Sequence, residues 1–242
     1  MPNEKSQRGG VIVYVFIGIA LFGALMFLFS RGASQNSTSF TKQQSTIKAQ
    51  AIIAYADVVA QAANKLITNG ISENDISFET DLFKTADGTV MNPSSQFPNC
   101  TNEKCKIFSR SGGAIAAQFP TDLGPLDPAS PSSFPLRGGM IAHTVNIVDV
   151  GTSLPELVLS FQTIPKDVCI QINELLDHQF TTNPPTGDAA TVSDQYTGAF
   201  PIGAITLGDG NDAWASGKTS YCYQFTGITP NMYVYQKVAF AR

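Results

Sequence analysis

Histidine is nearly missing: only His143 and His178 occur in 242 residues. Acid–base catalysis near neutral pH leans on imidazole, so that machinery is thin. No GxSxG elbow, HExxH pair or phosphate-cradling P-loop is present. Charge is scarce as well. Asp, Glu, Lys and Arg make up 14% of the chain and the net charge is −4. With no basic patch and no acidic block, nothing points to nucleic acid or to a polyanionic surface. None of the four cysteines forms a CxxC, which removes the redox-motif reading and weakens a zinc reading. The histidines have no ligand-like spacing to the cysteines. No internal repeat is evident. An enzyme is therefore left without a constellation, and a structural or binding role is the expectation.

One thing is abundant in one place. Residues 11–30 read VIVYVFIGIALFGALMFLFS, twenty residues without a charge. A bilayer core is about 30 Å thick and a helix rises about 1.5 Å per residue, so this run predicts a transmembrane helix. The leader MPNEKSQRGG carries Lys5 and Arg8 against Glu4, and the positive-inside rule then puts the N-terminus in the cytoplasm. A cleaved secretory signal, cut after Gly32, is the alternative. No proline occurs in residues 11–66. Helical character continues through 40–66, where Ile47, Ala51, Ala54, Val58, Ala62 and Leu66 recur at spacings of three and four. Asn69-Gly70 supplies the stop. Gly32 and the Ser/Thr cluster at 34–41 mark a place for a break.

A short basic leader ending in Gly10, an apolar helix continuing as an amphipathic one, and a head with late cysteines together resemble a type IV pilin or type II secretion pseudopilin. The resemblance covers about the first seventy residues well and the head in outline. It implies cleavage by a prepilin peptidase between Gly10 and Val11. It implies docking to other pilin-like subunits through the N-terminal helix, where Gly18, Ala20, Gly23 and Ala24 permit close helix approach. Family members usually carry Glu at the fifth mature position; here that position is Val15, as in some minor members. The closing YVYQKVAFAR also looks like pilin-like proteins of Gram-negative bacteria.

The head begins after the stop. Residues 72–75 read as a short helical turn, with Phe78, Leu82 and Phe83 packing on the helix. Residues 106–108 read as a short strand. Residues 119–135 hold five prolines, too many for a helix or a central strand, and read as an exposed connector. Residues 141–147 and 157–161 alternate as strands. Residues 165–176 read as a helix, with Pro165 in its first turn and Asp167 at its positive end. Residues 181–200 read as a polar loop. Residues 221–226 and 232–240 read as paired strands around Thr229-Pro230-Asn231, with Tyr221, Tyr223 and Phe225 set across from Tyr233 and Tyr235.

Cys100, Cys105, Cys169 and Cys222 all follow the apolar run, which fits two disulfides in an oxidising compartment. Three pairings exist. The short separation of Cys100 and Cys105 favours a small loop, which leaves Cys169 for Cys222. His143 shares a strand face with Val145 and Ile147 and reads as a packed residue. His178 sits near a helix C-terminus, where a cation suits the dipole. Asp209, Asn211 and Asp212 lie in Gly208-Asp209-Gly210-Asn211-Asp212, whose oxygens are of the kind calcium takes. A plain Gly/Asn/Asp turn explains the same residues and is preferred. Trp214 and the late tyrosines can form a platform for sugars or surfaces, though ordinary sheet packing is the simpler reading.

The expected fold is therefore α+β and pilin-like. A long N-terminal transmembrane and amphipathic helix packs on an antiparallel β-sheet head. The domains are a leader at 1–10, a long helix at 11–69 with its membrane part at 11–30, and a head at 70–242. The expected function is that of a structural subunit of a type IV pilus or pseudopilus, of the minor kind, with no cofactor. It would sit in the bacterial inner membrane by a single pass, head in the periplasm, and pass into an extracellular filament on assembly. The alternative is a tethered periplasmic binding or adhesion domain that never polymerises.

Overall fold

The computed structural model describes residues 10–180, 182–187, 195–201, 205–226, 230 and 232–242. Before residue 40 it describes the side chains of Ile17, Ile19, Leu21 and Phe22 alone. The chain divides into two units, Met1–Gln44 and Ser45–Arg242. Helix α1 spans Gly10–Thr68 and contributes to both. No proline interrupts it, and Gly70 ends it. The Ile71 N–H donates to the Leu66 carbonyl at 3.0 Å and the Gly70 N–H to Ile67 at 2.9 Å. Gly70 adopts φ +86°, the left-handed conformation that this double closure requires and glycine tolerates.

In the second unit a six-stranded sheet, curled as a half-barrel, has the order β5-β7-β8-β4-β3-β6. Its strands are β3 (Met140–Ile147), β4 (Glu156–Ile164), β5 (Thr186–Gly187), β6 (Thr206–Leu207), β7 (Ser220–Phe225) and β8 (Met232–Phe240). A separate pair, β1 (Thr80–Lys84) and β2 (Val90–Asn92), forms a small sheet. Helix α2, Lys166–Leu175, follows β4 directly, with Pro165 at its cap. Phe78, Phe83, Leu159, Phe161, Cys222 and Tyr235 share one core with residues 49–66 of α1. A second core on Val158, Tyr221, Tyr223 and Val234 lies apart from it, with Trp214 packed against it. Central strands with a core on both faces are buried throughout: every residue of β4 is buried. Disulfides join Cys100 to Cys105 and Cys169 to Cys222.

Several expectations are overturned. Among the described residues no helix is long and apolar enough to cross a membrane. The expected transmembrane segment at 11–30 falls, and with it the single inner-membrane pass with a periplasmic head. From Ser45 onward Ala49, Ile52, Ala56 and Val59 are buried against protein, whereas Gln50, Gln61 and Lys65 are exposed. The side chains of Gly10, Val11, Val15, Gly18, Ala20, Gly23 and Ala24, and the leader before Gly10, lie outside the described residues.

The sheet is also not the antiparallel one of the pilin-like expectation. It is mixed, because β5 pairs parallel with β7 and β6 parallel with β3. Each of these edge strands is two residues long, too short to show a period. The register of the last hairpin differs too. Tyr221 lies across from Gln236, Tyr223 from Val234 and Phe225 from Met232. Tyr235 instead meets Cys222 and points into the other core. A one-residue change of register moves every side chain to the opposite face, and the turn that sets it lies largely outside the described residues. Residues 106–108 are not a strand; Lys106 makes one isolated bridge to Ser77. Leu82 is partly exposed while Phe78 and Phe83 are buried.

Candidate assembly surface

The part of α1 within the second unit has two apolar faces. Ser45, Ala49, Ile52, Ala56, Val59, Ala63 and Leu66, at steps of three and four, are all buried. Small alanines let the helix backbone come close to the sheet, and the larger Ile52 and Leu66 fill the gaps. Tyr55 anchors the same side. Its hydroxyl donates to the Ala116 carbonyl at 3.0 Å and accepts the Gln118 N–H at 3.2 Å. Burial pushes this phenol above its ordinary value, and the Gln118 N–H offsets that only in part. Lys237 of β8 pairs with Asp57 at 2.8 Å, and Asn64 Nδ2 donates to the Ala239 carbonyl at 2.8 Å. Near the start of this stretch Ser45 donates to Asp167, and Thr46 donates to Gln171 at 2.7 Å, so side chains of α2 hold it as well.

The second face carries the series whose spacing predicts the helix. Ile47 is 65% exposed, Val58 is 43% exposed and Ala54 is exposed, with Ala51 half-buried between them. Only Ala62 and Leu66 of the expected stripe are buried. Ile47, Ala51, Ala54 and Val58 therefore form an outward apolar stripe with the period of the helix. The two interleaved series have the same spacing, so periodicity alone does not choose between them.

In the first unit, the described apolar side chains Ile17, Ile19, Leu21, Phe22 and Phe40 are each at least half exposed. Isolated exposed apolar residues are ordinary, but contiguous ones mark interaction surfaces. Ile17, Ile19, Leu21 and Phe22, one or two residues apart, lie around the helix rather than on one line.

The remaining sequence candidates sit elsewhere. Gly10 is the first residue of α1 and Val11 its second. Asp209 caps a 3-10 helix, Gly210–Ala215, and accepts the Asp212 N–H through its carbonyl at 2.8 Å. Asp209 and Asn211 are exposed while Asp212 is buried, so the three side chains are not brought together on one open loop. Among the described residues no group of three His, Cys, Asp or Glu side chains is placed to hold a metal ion. His143 is fully buried on β3. His178 brings Nε2 within 2.7 Å of the Ser220 carbonyl. Trp214 packs edge-on to Tyr221 at 5.2 Å and close to Tyr223 at 5.5 Å. Both tyrosines are fully buried, so this group packs the second core and offers no open platform. Tyr196, read as part of a polar loop, is fully buried and its hydroxyl donates to the Glu73 carbonyl. A scan of protein-family models and searches of curated proteins and solved structures return no protein similar to this chain.

Proposed function

We propose that the chain is a structural, non-catalytic subunit of a filament of the type IV pilus or secretion pseudopilus kind, joined to its neighbours through α1. The observation that carries this reading is the outward stripe of Ile47, Ala51, Ala54 and Val58. Its opposite face is already satisfied by the sheet. Leaving an Ile or Val side chain in water forgoes about 1.5–3 kcal/mol each, and the same stripe on a second copy is a self-complementary partner. The run at 11–30 contains no charged residue. In this reading the leader is removed between Gly10 and Val11 by a prepilin peptidase, and Val15, in place of the usual Glu, suits a minor subunit.

The test is a pair of measurements on the natively produced protein. Mass spectrometry should find a mature N-terminus at Val11, and sheared surface fractions should contain the chain. An Ile47→Asp/Val58→Asp double variant should fold with unchanged circular dichroism yet drop out of that fraction. A native product that begins at Met1, together with a double variant that behaves like the parent, would overturn the reading.

A further inference from the structure

The proline-rich connector is more than an exposed stretch of chain. Leu123 is 5% exposed, and Phe119 packs edge-on to Phe83 at 5.5 Å. Anchored there, the connector comes against Leu136 and Arg137 and leaves a recess of about 440 Å3. That volume is within the range of about 300–1,000 Å3 typical of ligand sites. Phe119, Leu123, Pro125, Leu126 and Leu136 give it apolar walls. Asp122 and Arg137 are the charged residues of its lining among the described residues.

Both charges stand at tight turns. The Gly139 N–H donates to the Leu136 carbonyl at 3.0 Å, and Gly138 takes φ +77°. This is a type II turn with Arg137 at its first corner. The turn is tied down on either side. The Leu136 N–H donates to the Lys84 carbonyl of β1 at 2.9 Å, and the Gly138 N–H to the Gln162 carbonyl of β4 at 2.9 Å. At Gln162 the strand bulges, with Gln162 and Thr163 standing against the single Val234. The Thr163 hydroxyl donates to the Pro135 carbonyl at 3.0 Å, which fixes the bulge to the residues before the turn. Asp122 accepts the Gly124 N–H through Oδ1 at 2.8 Å, and Gly124 takes φ +75°. Charges on pinned backbone lose little ordering entropy when a ligand binds.

The two charges share one recess, yet among the described residues they pair neither with each other nor with a third residue. Arg137 is half-buried. Its Nε is enclosed by protein, and its Nη1 donates to the Leu123 carbonyl at 3.4 Å. Nη2 is neither bonded nor enclosed, so it is the nitrogen left for a ligand. Asp122 is exposed and has Oδ2 to offer.

We infer that this recess binds a free α-amino acid with an apolar side chain. Its carboxylate meets Arg137, whose planar fork suits that group, and its ammonium meets Asp122. Its side chain displaces water from Leu123, Leu126 and Leu136. A simple anion would face Asp122, and a simple cation would face Arg137. A neutral apolar molecule would strip water from both charges and replace it with nothing. This ligand site is independent of assembly through α1.

The experiment is saturation-transfer NMR on the full chain with L-leucine, L-phenylalanine and L-aspartate. At least one of the two apolar amino acids should bind with a Kd below about 10 mM, a weak affinity by the usual scale. Its N-acetyl form, which lacks the ammonium, and its amide, which lacks the carboxylate, should each bind at least about tenfold more weakly. Aspartate should bind more weakly too. Asp122→Asn keeps an acceptor for Gly124 and removes the charge, and Arg137→Gln removes the guanidinium. Each should weaken binding about tenfold or more with the thermal midpoint unchanged. Asp127→Asn, in the neighbouring recess, should leave the Kd within about twofold. No binding by either apolar amino acid would overturn the inference. So would a one-charge derivative or aspartate that binds as well, binding that survives Asp122→Asn or Arg137→Gln, or an equal loss in Asp127→Asn.

Discussion

The carboxamide of Asn173 exchanges two hydrogen bonds with the backbone of Cys222. Nδ2 donates to the Cys222 carbonyl at 2.7 Å, and the Cys222 N–H donates to Oδ1 at 2.9 Å. The side chain thus does for β7 what a neighbouring strand would do. The need is local, because β5 covers β7 only at Gln224 and Phe225. An uncovered strand edge is a template for wrong pairing. Asn173→Leu removes both bonds and leaves a buried N–H and a buried carbonyl unpaired. Each such loss costs about 1–3 kcal/mol, so urea denaturation should show a loss of about 2–5 kcal/mol and a greater tendency to aggregate. A loss under about 1 kcal/mol, the net worth of one ordinary bond, would mean that the edge is held by something else.

The two disulfides should differ in weight. Cys169–Cys222 closes 53 residues of chain and Cys100–Cys105 closes 5. The loop-entropy relation gives about 4 kcal/mol for the first and about 2 kcal/mol for the second. Cys169→Ala/Cys222→Ala should therefore lower the stability by roughly twice as much as Cys100→Ala/Cys105→Ala. Cys169 also lies one helical turn before Asn173 on α2, so its loss should couple to that of Asn173. A triple variant less destabilised than the sum of its parts is the expected result. Equal losses for the two bridges would show that chain entropy is not what they chiefly contribute.

Much of this fold was legible because it is written in runs longer than one turn or four strand residues. The helix stop at Gly70, the helix after Pro165 and the strands around Ile141, Leu159, Tyr223 and Val234 each carry a period or a breaker. What stayed hidden is short or set from afar. The edge strand β5 is two residues whose Gly187 lies against the Tyr223 ring, where a Cβ would come within 2.9 Å. That fit depends on tertiary packing and not on local propensity. Tyr196 joined a polar stretch in the sequence and yet fills the first core beside Phe78 and Phe97. The outward stripe on α1 was legible as a stripe, but its direction was not, since alanine-rich and isoleucine-bearing series share one spacing. Gln162 gave no signal, because a bulge is a fact of register.

Glu156 gives a prediction in pH. It is fully buried at the start of β4; Oε2 accepts the Ile147 N–H at 2.9 Å, and Oε1 has no partner among the described residues. Burial raises its carboxyl above the ordinary value, with the Ile147 N–H lowering it only in part. A carboxyl raised on folding contributes stability that is fully present below its unfolded value, about 4.3. That contribution is lost as pH rises through the folded value. Glu156→Gln keeps an acceptor for Ile147 and removes the charge. Its stability relative to the parent should rise as pH climbs from about 4 until it has passed the folded value of the Glu156 carboxyl, then stay level. Urea midpoints of both proteins at several pH values check this, and a difference that is flat or falls with pH would contradict it.

The loop at Gly208 separates a plain turn from an ion site. Gly208 adopts φ +94°, and a Cβ there would lie 3.0 Å from Ser216 Cα and 3.0 Å from the Val148 side chain. The turn is thus specified by glycine and by close backbone approach, with Gly217 N–H donating to the Val148 carbonyl at 2.8 Å. Asp212 is turned inward while Asp209 and Asn211 face out. If the turn is what these residues serve, Gly208→Ala should cost about 1–3 kcal/mol through backbone strain and contact. Asp209→Ala and Asn211→Ala should change stability by no more than about 0.5 kcal/mol, as exposed substitutions do. Millimolar calcium should leave the thermal midpoint of the parent where it was. A calcium-dependent rise that vanishes in Asp209→Ala would identify the loop as a ligand set, because only a bound ion stabilises by mass action through that carboxylate.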